Sequence, residues 1–375
     1  MKIPLELYIH IPFCIRKCDY CDFLSFSSTR EQQKTYMEAL KREIRAAGTF
    51  PEHHVTTVFF GGGTPSVPEA ERLAEVLELL KDRFQFDQDA EITLEANPGT
   101  LSEEKLRVYR EAGFNRLSLG CQSVHSEELK QLGRIHTYEE FLESFSMARK
   151  LGFSNINVDL MSGLPGQSLK SYEESLRTIA KLEPEHISAY SLIVEPGTPF
   201  AEWDLDLPDE ETERRMYDRT AEILEEYGYT QYEISNYAKP GRECRHNIGY
   251  WKRTNYLGFG PGAASLLGSR RFTNTTDMEK YLADSGCPEM VREDVEVLSV
   301  QDCMEEFMFL GLRMNEGISE KQFEELFGQS IDEVYGEVLK KYLALDLLWR
   351  SNGRIGLTRE GISISNVILS DFLLG

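Results

Sequence analysis

Short apolar runs rich in β-branched residues alternate with amphipathic, charge-rich segments through the first half of this 375-residue chain. The intervening segments, such as residues 30–47 and 68–84, repeat their apolar residues at helical spacing. Strands that alternate with helices pair in parallel, because each helix returns the chain to the starting edge of the sheet. We therefore predict an α/β fold, an incomplete (β/α)6 barrel, with strands at residues 5–11, 55–60, 91–96, 116–122, 155–161 and 186–193.

The pattern changes after about residue 200. One helix and a short strand, QYEISNYA, are followed by a turn-rich segment to about residue 268. From about residue 298 the chain is helical again and ends with a hairpin-like pair and a final helix, which is typical of a winged helix. We predict three parts: a barrel core at 1–200, an extension that contains HNIGYW at 201–295, and a smaller, mostly helical, winged-helix-like domain at 296–375.

The charge of the chain limits its partners. Lys and Arg total 41 against 63 Asp and Glu, so the formal net charge is -22. Affinity for nucleic acid is carried mainly by clustered Lys and Arg, so we expect no nucleic-acid partner. No run approaches the about 18 apolar residues of a membrane span, and the amino terminus lacks a secretory signal. We expect a cytoplasmic protein without a transmembrane segment; a peripheral membrane contact and a dimer stay open.

Three of the seven cysteines, Cys14, Cys18 and Cys21, lie directly behind the first strand with the spacing Cys-x3-Cys-x2-Cys. A structural zinc ion is one interpretation, but it requires four ligands, and no second cysteine pair lies at a fitting distance. A 4Fe–4S cluster held by three thiolates leaves one iron open to a substrate. Cys244, two residues before His246, stays open as an additional ligand.

Polar residues and glycines follow the carboxyl ends of the next strands. In (β/α) barrels the functional groups lie on the loops after these ends, so they converge on one mouth. Buried polar groups need a partner, so we expect these residues to contact a bound ligand. Carboxylates suit the ammonium or hydroxyl groups of a ligand, and an arginine suits a carboxylate as a bidentate donor. The candidate residues are the glycines of residues 61–66, Glu95, Gln122, Arg134 and Asp159.

The CxxxCxxC spacing, with Tyr20 before the last cysteine, resembles the signature of the radical S-adenosylmethionine (SAM) superfamily. The resemblance implies a 4Fe–4S cluster on Cys14, Cys18 and Cys21, with the open iron chelated by the amino and carboxylate groups of SAM. It also implies an electron donor, since one electron cleaves SAM to a 5'-deoxyadenosyl radical.

The motifs GGGTPS, EANPGT, RLSLGCQS, NVDLMSGLPGQS and YEISNYAKPGRECRHNIGYW, in this order behind the cysteines, resemble the oxygen-independent coproporphyrinogen III oxidase-like family. One branch of that family is a dehydrogenase that decarboxylates two propionates, and the other comprises heme chaperones. The dehydrogenase branch has a further cysteine where this chain has Phe23, and a substantial segment before the cysteine motif, whereas Cys14 here is near the first residue. HNxxYW is the heme-associated motif of the chaperone branch. These features favour the chaperone branch.

The resemblance also implies site residues. His246 is the candidate heme-contacting residue, with Asn247, Tyr250 and Trp251 of the same motif beside the heme. Tyr20 would pack beside the cluster. The residues that would contact SAM are Tyr8, Gly62, Gly63, Thr64, Glu95, Gln122, Arg134, Asp159 and Ile193.

Three functions follow as hypotheses. The first is a chaperone that binds heme and transfers it to acceptor heme proteins, able to bind and cleave SAM but without coproporphyrinogen dehydrogenase activity. The second is the dehydrogenase itself. The third, a radical SAM enzyme that acts on RNA, is disfavoured by the net charge of -22.

Overall fold

The computed structural model describes residues 2–374, and its centre is a set of six parallel strands that pair in the order of the chain. All six predicted strands are present, each within a few residues of its expected bounds, and the predicted α/β barrel fold is confirmed. Most apolar residues of these strands belong to the core that the strands share with the helices, whereas polar residues such as Glu95, Ser118 and Asp159 line the interior cavity. The strands are β1 (Ile3–Ile11), β2 (His53–Gly62), β3 (Phe86–Ala96), β4 (Arg116–Gln122), β5 (Ile156–Ser162) and β6 (His186–Ser191).

Helices cover the outside of these strands. Several begin at a capping box, in which the N-cap hydroxyl and the side chain three residues later bond each other's backbone N–H; Thr29 with Gln32 and Thr137 with Glu140 are examples. Their inner faces pack leucine and isoleucine into one continuous core with the strands. The helices are α1 (Arg30–Ala46), α2 (Ala70–Arg83), α3 (Glu103–Ala112), α4 (Ser126–Gln131), α5 (Tyr138–Lys150) and α6 (Leu169–Ala180).

Beyond residue 200 the chain extends the same sheet at both sides. The stretch QYEISNYA, predicted as one strand, forms a hairpin whose second strand pairs antiparallel with β6. The predicted turn-rich segment contains a helix and further strands, the first of which pairs in parallel with β1. The elements are α7 (Glu210–Glu226), β7 (Thr230–Glu233), β8 (Asn236–Ala238), α8 (Arg245–Trp251), β9 (Asn255–Phe259), β10 (Ala264–Leu267), β11 (Arg270–Asn274), α9 (Met278–Asp284), α10 (Pro288–Val291) and β12 (Arg292–Val297).

The glycine-rich turn between β9 and β10 is held by a buried carboxylate of α1. Glu43 accepts hydrogen bonds from the Gly260 backbone N–H at 2.9 Å, from Asn274 at 2.7 Å and from the Tyr281 hydroxyl at 2.6 Å. Gly260 has φ +101°, and a Cβ there would overlap the Tyr36 hydroxyl. The glycines of this segment therefore serve a strand–turn–strand connection.

The last part of the chain has its own apolar core, which includes Met308, Phe323, Tyr335, Ile355 and Phe372. Three short strands pair antiparallel beside the helices, in the pattern of a winged helix. The division of the chain into three parts at residues 200 and 295 stays a prediction. The first part was predicted to begin at residue 1 and the last to end at residue 375, and both of these residues lie outside the described residues. The elements are α11 (Val300–Gly311), β13 (Ile318–Ser319), α12 (Glu320–Phe327), α13 (Ile331–Ala344), β14 (Leu348–Ser351), β15 (Arg354–Leu357), α14 (Arg359–Ser363) and α15 (Ser365–Ser370).

Within residues 2–374, none of the helices has the length and the apolar character needed to cross a membrane.

Candidate functional site

A cavity of about 480 Å³ opens at the carboxyl ends of the parallel strands. Its wall brings together residues that lie far apart in the sequence, as the (β/α) topology requires. The predicted residues that line it are Cys14, Cys18, Tyr20, Cys21, Gly62, Gly63, Thr64, Glu95, Gln122, Arg134, Asp159, Ile193 and Asn247.

The three cysteines lie on the loop between β1 and α1. The loop is closed by backbone hydrogen bonds from Cys14 to the Phe26 carbonyl at 3.0 Å and from Cys21 to the Cys18 carbonyl at 3.2 Å. All three thiols are free and partly exposed to the cavity. The loop therefore presents three sulfur atoms to the cavity from one short segment.

Polar groups from other loops approach these sulfurs. The Arg134 guanidinium donates to Cys18 Sγ at 3.6 Å, and the Thr64 hydroxyl lies 3.5 Å from Cys14 Sγ. Donors of this kind stabilise thiolates and the sulfurs of an iron–sulfur cluster. The donor set thus fits a cluster held by three cysteines, with Arg134 and Thr64 beside its ligands.

The glycine segment after β2 runs directly against the backbone of the cysteine loop. Gly63 N–H donates to the Ile11 carbonyl at 2.9 Å, and Thr64 N–H donates to the Phe13 carbonyl at 2.7 Å. Gly62 has φ +107°, and a Cβ there would overlap the His10 ring. The glycines are needed because two backbones meet here without room for side chains.

Two carboxyl groups, those of Glu95 and Asp159, line the cavity. Burial, with Asp159 nearby, raises the pKa of Glu95 to about 8, and burial also raises the pKa of Asp159. Glu95 accepts a hydrogen bond from the Gly62 backbone N–H at 3.2 Å, and Asn157 donates to Asp159 at 2.7 Å. These groups suit the hydroxyl and ammonium donors of a bound ligand.

Gln122 lies at an irregularity in the pairing of β4 with β5 and has φ +62°, which is unusual for a residue with a side chain. Its side-chain Oε1 is buried and has no hydrogen-bond partner among residues 2–374. A strained backbone with an unpaired buried acceptor is typical of a ligand site. The structure thereby supports a functional interpretation of Gln122 that its residue type alone does not provide.

Asn97 is a site residue that the sequence analysis missed. It accepts from the Arg134 guanidinium at 2.8 Å and donates to the Thr64 hydroxyl at 2.8 Å, so it connects the residues beside two of the cysteines. Its position between Glu95 and Pro98, in the loop after the third strand, is the signal that could have identified it.

The HNIGYW segment forms α8 and closes the barrel below the cavity. His246 is 1% exposed, and its ring stacks on Phe59 with centroids 5.1 Å apart. Its Nδ1 lies 2.7 Å from the Thr57 hydroxyl, and its Nε2 lies 3.0 Å from the Tyr250 hydroxyl. Both ring nitrogens therefore have protein partners.

The predicted heme residues are not gathered at one surface. Asn247 lines the barrel cavity, whereas Trp251 lines a separate cleft against the last domain. Tyr8, a predicted SAM contact, does not line the barrel cavity. Its hydroxyl lies 3.1 Å from His10 Nδ1. The SAM and heme contacts of these residues stay predictions.

Cys244 precedes α8 at the base of the barrel and is fully buried. Its Sγ lies 3.6 Å from a Glu91 carboxylate oxygen, and burial raises the pKa of the thiol to about 12. Glu91 also accepts from the backbone N–H groups of Arg245 and His246, both at 3.3 Å. Cys244 is thus part of the anchor of α8 and does not line the cavity of the three cysteines.

Comparison with known proteins agrees with this geometry. A model of the radical SAM superfamily matches residues 8–179, and a model of the HemN C-terminal domain matches residues 298–364. The heme chaperone HemW of Bacillus subtilis (strain 168) is 40% identical over 98% of this chain and 98% of its own. The chain belongs to the HemW family. The HemW of Escherichia coli (strain K12) is 42% identical over 69% of each chain.

The fold of this HemW-family chain is also that of a solved structure. Coproporphyrinogen III oxidase (HemN) from Escherichia coli, described as a radical SAM enzyme, superposes with a TM-score of 0.86 at 28% identity, over 100% of this chain and 91% of that one. Membership of the radical SAM superfamily implies a 4Fe–4S cluster and SAM, which the three thiols and the surrounding polar groups fit.

We expect the buried His186 to reduce stability in mild acid. Its ring nitrogens lie 2.6 Å from Asn157 Oδ1 and 2.8 Å from the Tyr232 hydroxyl, and burial, with Arg116 nearby, lowers its pKa well below the usual value. The unfolded chain protonates this histidine near pH 6.5, so the unfolded state binds the extra proton below that pH. The contribution is fully present above pH 6.5 and falls by about 1.4 kcal/mol per pH unit below it.

Urea unfolding of the wild type and of His186→Gln at pH 7, 6 and 5 measures this effect. The free energy of unfolding of the variant should fall less steeply below pH 6.5, by up to about 1.4 kcal/mol per pH unit. His125→Gln, at a partly exposed histidine, is the control for the loss of an imidazole elsewhere in the chain. Equal slopes for the wild type and His186→Gln would show that His186 titrates normally.

Proposed function

We propose that this protein is a cytoplasmic heme chaperone that carries a 4Fe–4S cluster, binds SAM, and transfers heme to acceptor heme proteins. The observation that carries the proposal is the 40% identity to a heme chaperone over 98% of both chains. The intact HNIGYW motif at residues 246–251 and the cavity with three free thiols support it.

The residues divide into two tasks under this proposal. Cys14, Cys18 and Cys21 hold the cluster, which supplies an open iron for SAM and an electron for its cleavage. Arg134 binds the carboxylate of SAM with the guanidinium N–H groups that Asn97 and the Gly120 carbonyl leave free. Glu95 and Asp159 accept from its ammonium group or hydroxyls. An electron donor for the cluster is required as a further partner.

Heme contact by His246 requires a local rearrangement. The Tyr250 hydroxyl lies 3.0 Å from His246 Nε2 and the Thr57 hydroxyl 2.7 Å from Nδ1. Burial lowers the pKa of His246 to about 3, so the ring is neutral at physiological pH, as iron ligation requires. We infer that Tyr250 moves away from His246 when heme binds.

We expect His246→Ala to weaken heme binding at least tenfold, because it removes the proposed iron contact. The protein is reconstituted anaerobically with iron and sulfide and then titrated with heme, with and without SAM. His125→Ala, at a partly exposed histidine on another loop, is the matched control and should bind as the wild type does. Wild-type affinity in His246→Ala would exclude this histidine as the contact.

A second function is supported by the TM-score of 0.86 to HemN, which makes coproporphyrinogen III dehydrogenation the alternative. The same preparations are therefore assayed for decarboxylation of coproporphyrinogen III with SAM and a reductant. Stoichiometric heme binding without decarboxylated product supports the chaperone, whereas accumulation of protoporphyrinogen supports the dehydrogenase.

A further inference from the structure

The cavity extends below the rim to a floor between the barrel strands and α8. The rim, with the three cysteines and Arg134, is its upper end. The floor is formed by Arg116, Ser118, Asn157, Asn236 and Asn247. Neither the cluster nor the rim residues assigned to SAM account for this lower part.

Arg116 is the unusual residue of the floor. It begins β4 and is 2% exposed, and its Nε has no hydrogen-bond partner among residues 2–374. No carboxylate oxygen of the described residues lies within 4.0 Å of its guanidinium nitrogens. A buried cation without a partner is costly, so its presence requires a reason.

The two carboxylates whose charges act on Arg116, Glu91 and Asp159, already accept hydrogen bonds from other groups. Burial acts to lower the pKa of Arg116, whereas Cys244 first and then Glu91 act through space to raise it. The Glu91 oxygens accept the backbone N–H groups at the start of α8. Asp159 also acts through space, and it accepts from Asn157 at 2.7 Å. These charges offset part of the cost of burying Arg116 and leave its donors free.

We propose that the floor is a carboxylate-binding subsite in which the Arg116 guanidinium binds the carboxylate of a ligand that enters from the rim. A carboxylate matches the planar fork of an arginine, and its single charge suits a site that already has Glu91 and Asp159 nearby. The unpaired Asn236 Oδ1 on the same floor accepts a donor of the ligand. The bound carboxylate has two candidate sources, a propionate of heme and a free small carboxylic acid. With a heme propionate, the inference rests on the proposed function.

The test compares ligands with and without a free carboxylate. Reconstituted wild type, Arg116→Gln and Arg116→Lys are titrated with heme and with its dimethyl ester, and their melting temperatures are measured with sodium propionate. Arg107→Gln, at an arginine whose side chain is 61% exposed, is the control. Circular dichroism of each variant establishes that it is folded.

If the subsite binds a propionate of heme, the wild type and Arg107→Gln bind heme at least tenfold more tightly than the ester. Arg116→Gln then binds heme and the ester equally. Arg116→Lys keeps the positive charge but not the two parallel donors of the guanidinium, and it retains less than half of the preference for heme over the ester. If Arg116→Gln does not fold, the result for Arg116→Lys decides.

Sodium propionate separates this proposal from the proposed function. If heme does not bind, or if heme and ester bind alike, stabilisation of the wild type but not of Arg116→Gln by propionate assigns the subsite to a small acid. Undiminished discrimination against the ester in Arg116→Gln overturns the proposal. So does an absence of both discrimination and propionate stabilisation in the wild type, which would make Arg116 a structural counter-ion.

Discussion

Replacing any one of Cys14, Cys18 and Cys21 by serine is expected to abolish assembly of the iron–sulfur cluster. The site has three thiols on one loop, so a single replacement leaves only two ligands. A cluster of this kind needs all three, because its fourth iron is already without a protein ligand. Iron content after anaerobic reconstitution should fall from about four per chain to near zero.

The exposed Cys287 provides the matched control. Cys287→Ser changes the same atom at a cysteine far from the loop in sequence, and it should keep full iron content. Iron and acid-labile sulfide are measured together with the broad visible absorption of the cluster. Near-normal iron in any of the three single variants would contradict the assignment of that cysteine as a ligand.

Gly249→Ala is expected to destabilise the protein by about 2–3 kcal/mol, the cost of overpacking a filled core. Gly249 is buried in α8, and a Cβ there would overlap the carboxylate of Glu6 on β1. Glu6 is itself 2% exposed, so its carboxylate has little room to withdraw. Since α8 carries His246, we also expect heme binding to change.

The sign of this effect separates packing from helix propensity. Alanine favours a helix over glycine by about 1 kcal/mol, so an unhindered replacement should stabilise. Gly336→Ala in α13, where a Cβ meets nothing within 4 Å, is the control and should do so. When Glu6 is replaced by alanine, the Cβ that Gly249→Ala adds has space. A double-mutant cycle of Glu6→Ala and Gly249→Ala should therefore give a coupling energy of about 1 kcal/mol or more. Urea unfolding is measured for the wild type, both single variants and the double variant; additive effects would show that Glu6 and Gly249 do not interact.

Much of the fold could be predicted because the relevant signals are local. The strand from Arg116 to Gln122 has the predicted bounds, since a short run with leucines at alternate positions between two helical segments has few alternatives. The hairpin of β7 and β8 was predicted as one strand because its turn, at residues 234–235, has neither glycine nor proline. The strand β9 was missed because it is short and contains a glycine, and its pairing with β1 joins residues about 250 positions apart.

The candidate site shows the same division. The cysteine spacing predicted that one loop carries the three thiols, and the rule that functional groups follow strand ends predicted that Glu95, Gln122 and Asp159 lie at the same cavity. Asn97 was missed because its hydrogen bonds to Arg134 and Thr64 join three separate loops.

The sequence by itself determined the strand order of the barrel and the segment that carries the thiols, because both depend on spacing along the chain. Only the tertiary structure decided that His246 is enclosed between Thr57 and Tyr250, and that Arg116 stands unpaired at the floor of the cavity. Burial and hydrogen-bond satisfaction depend on which distant residues meet, and a side chain's type does not specify its neighbours.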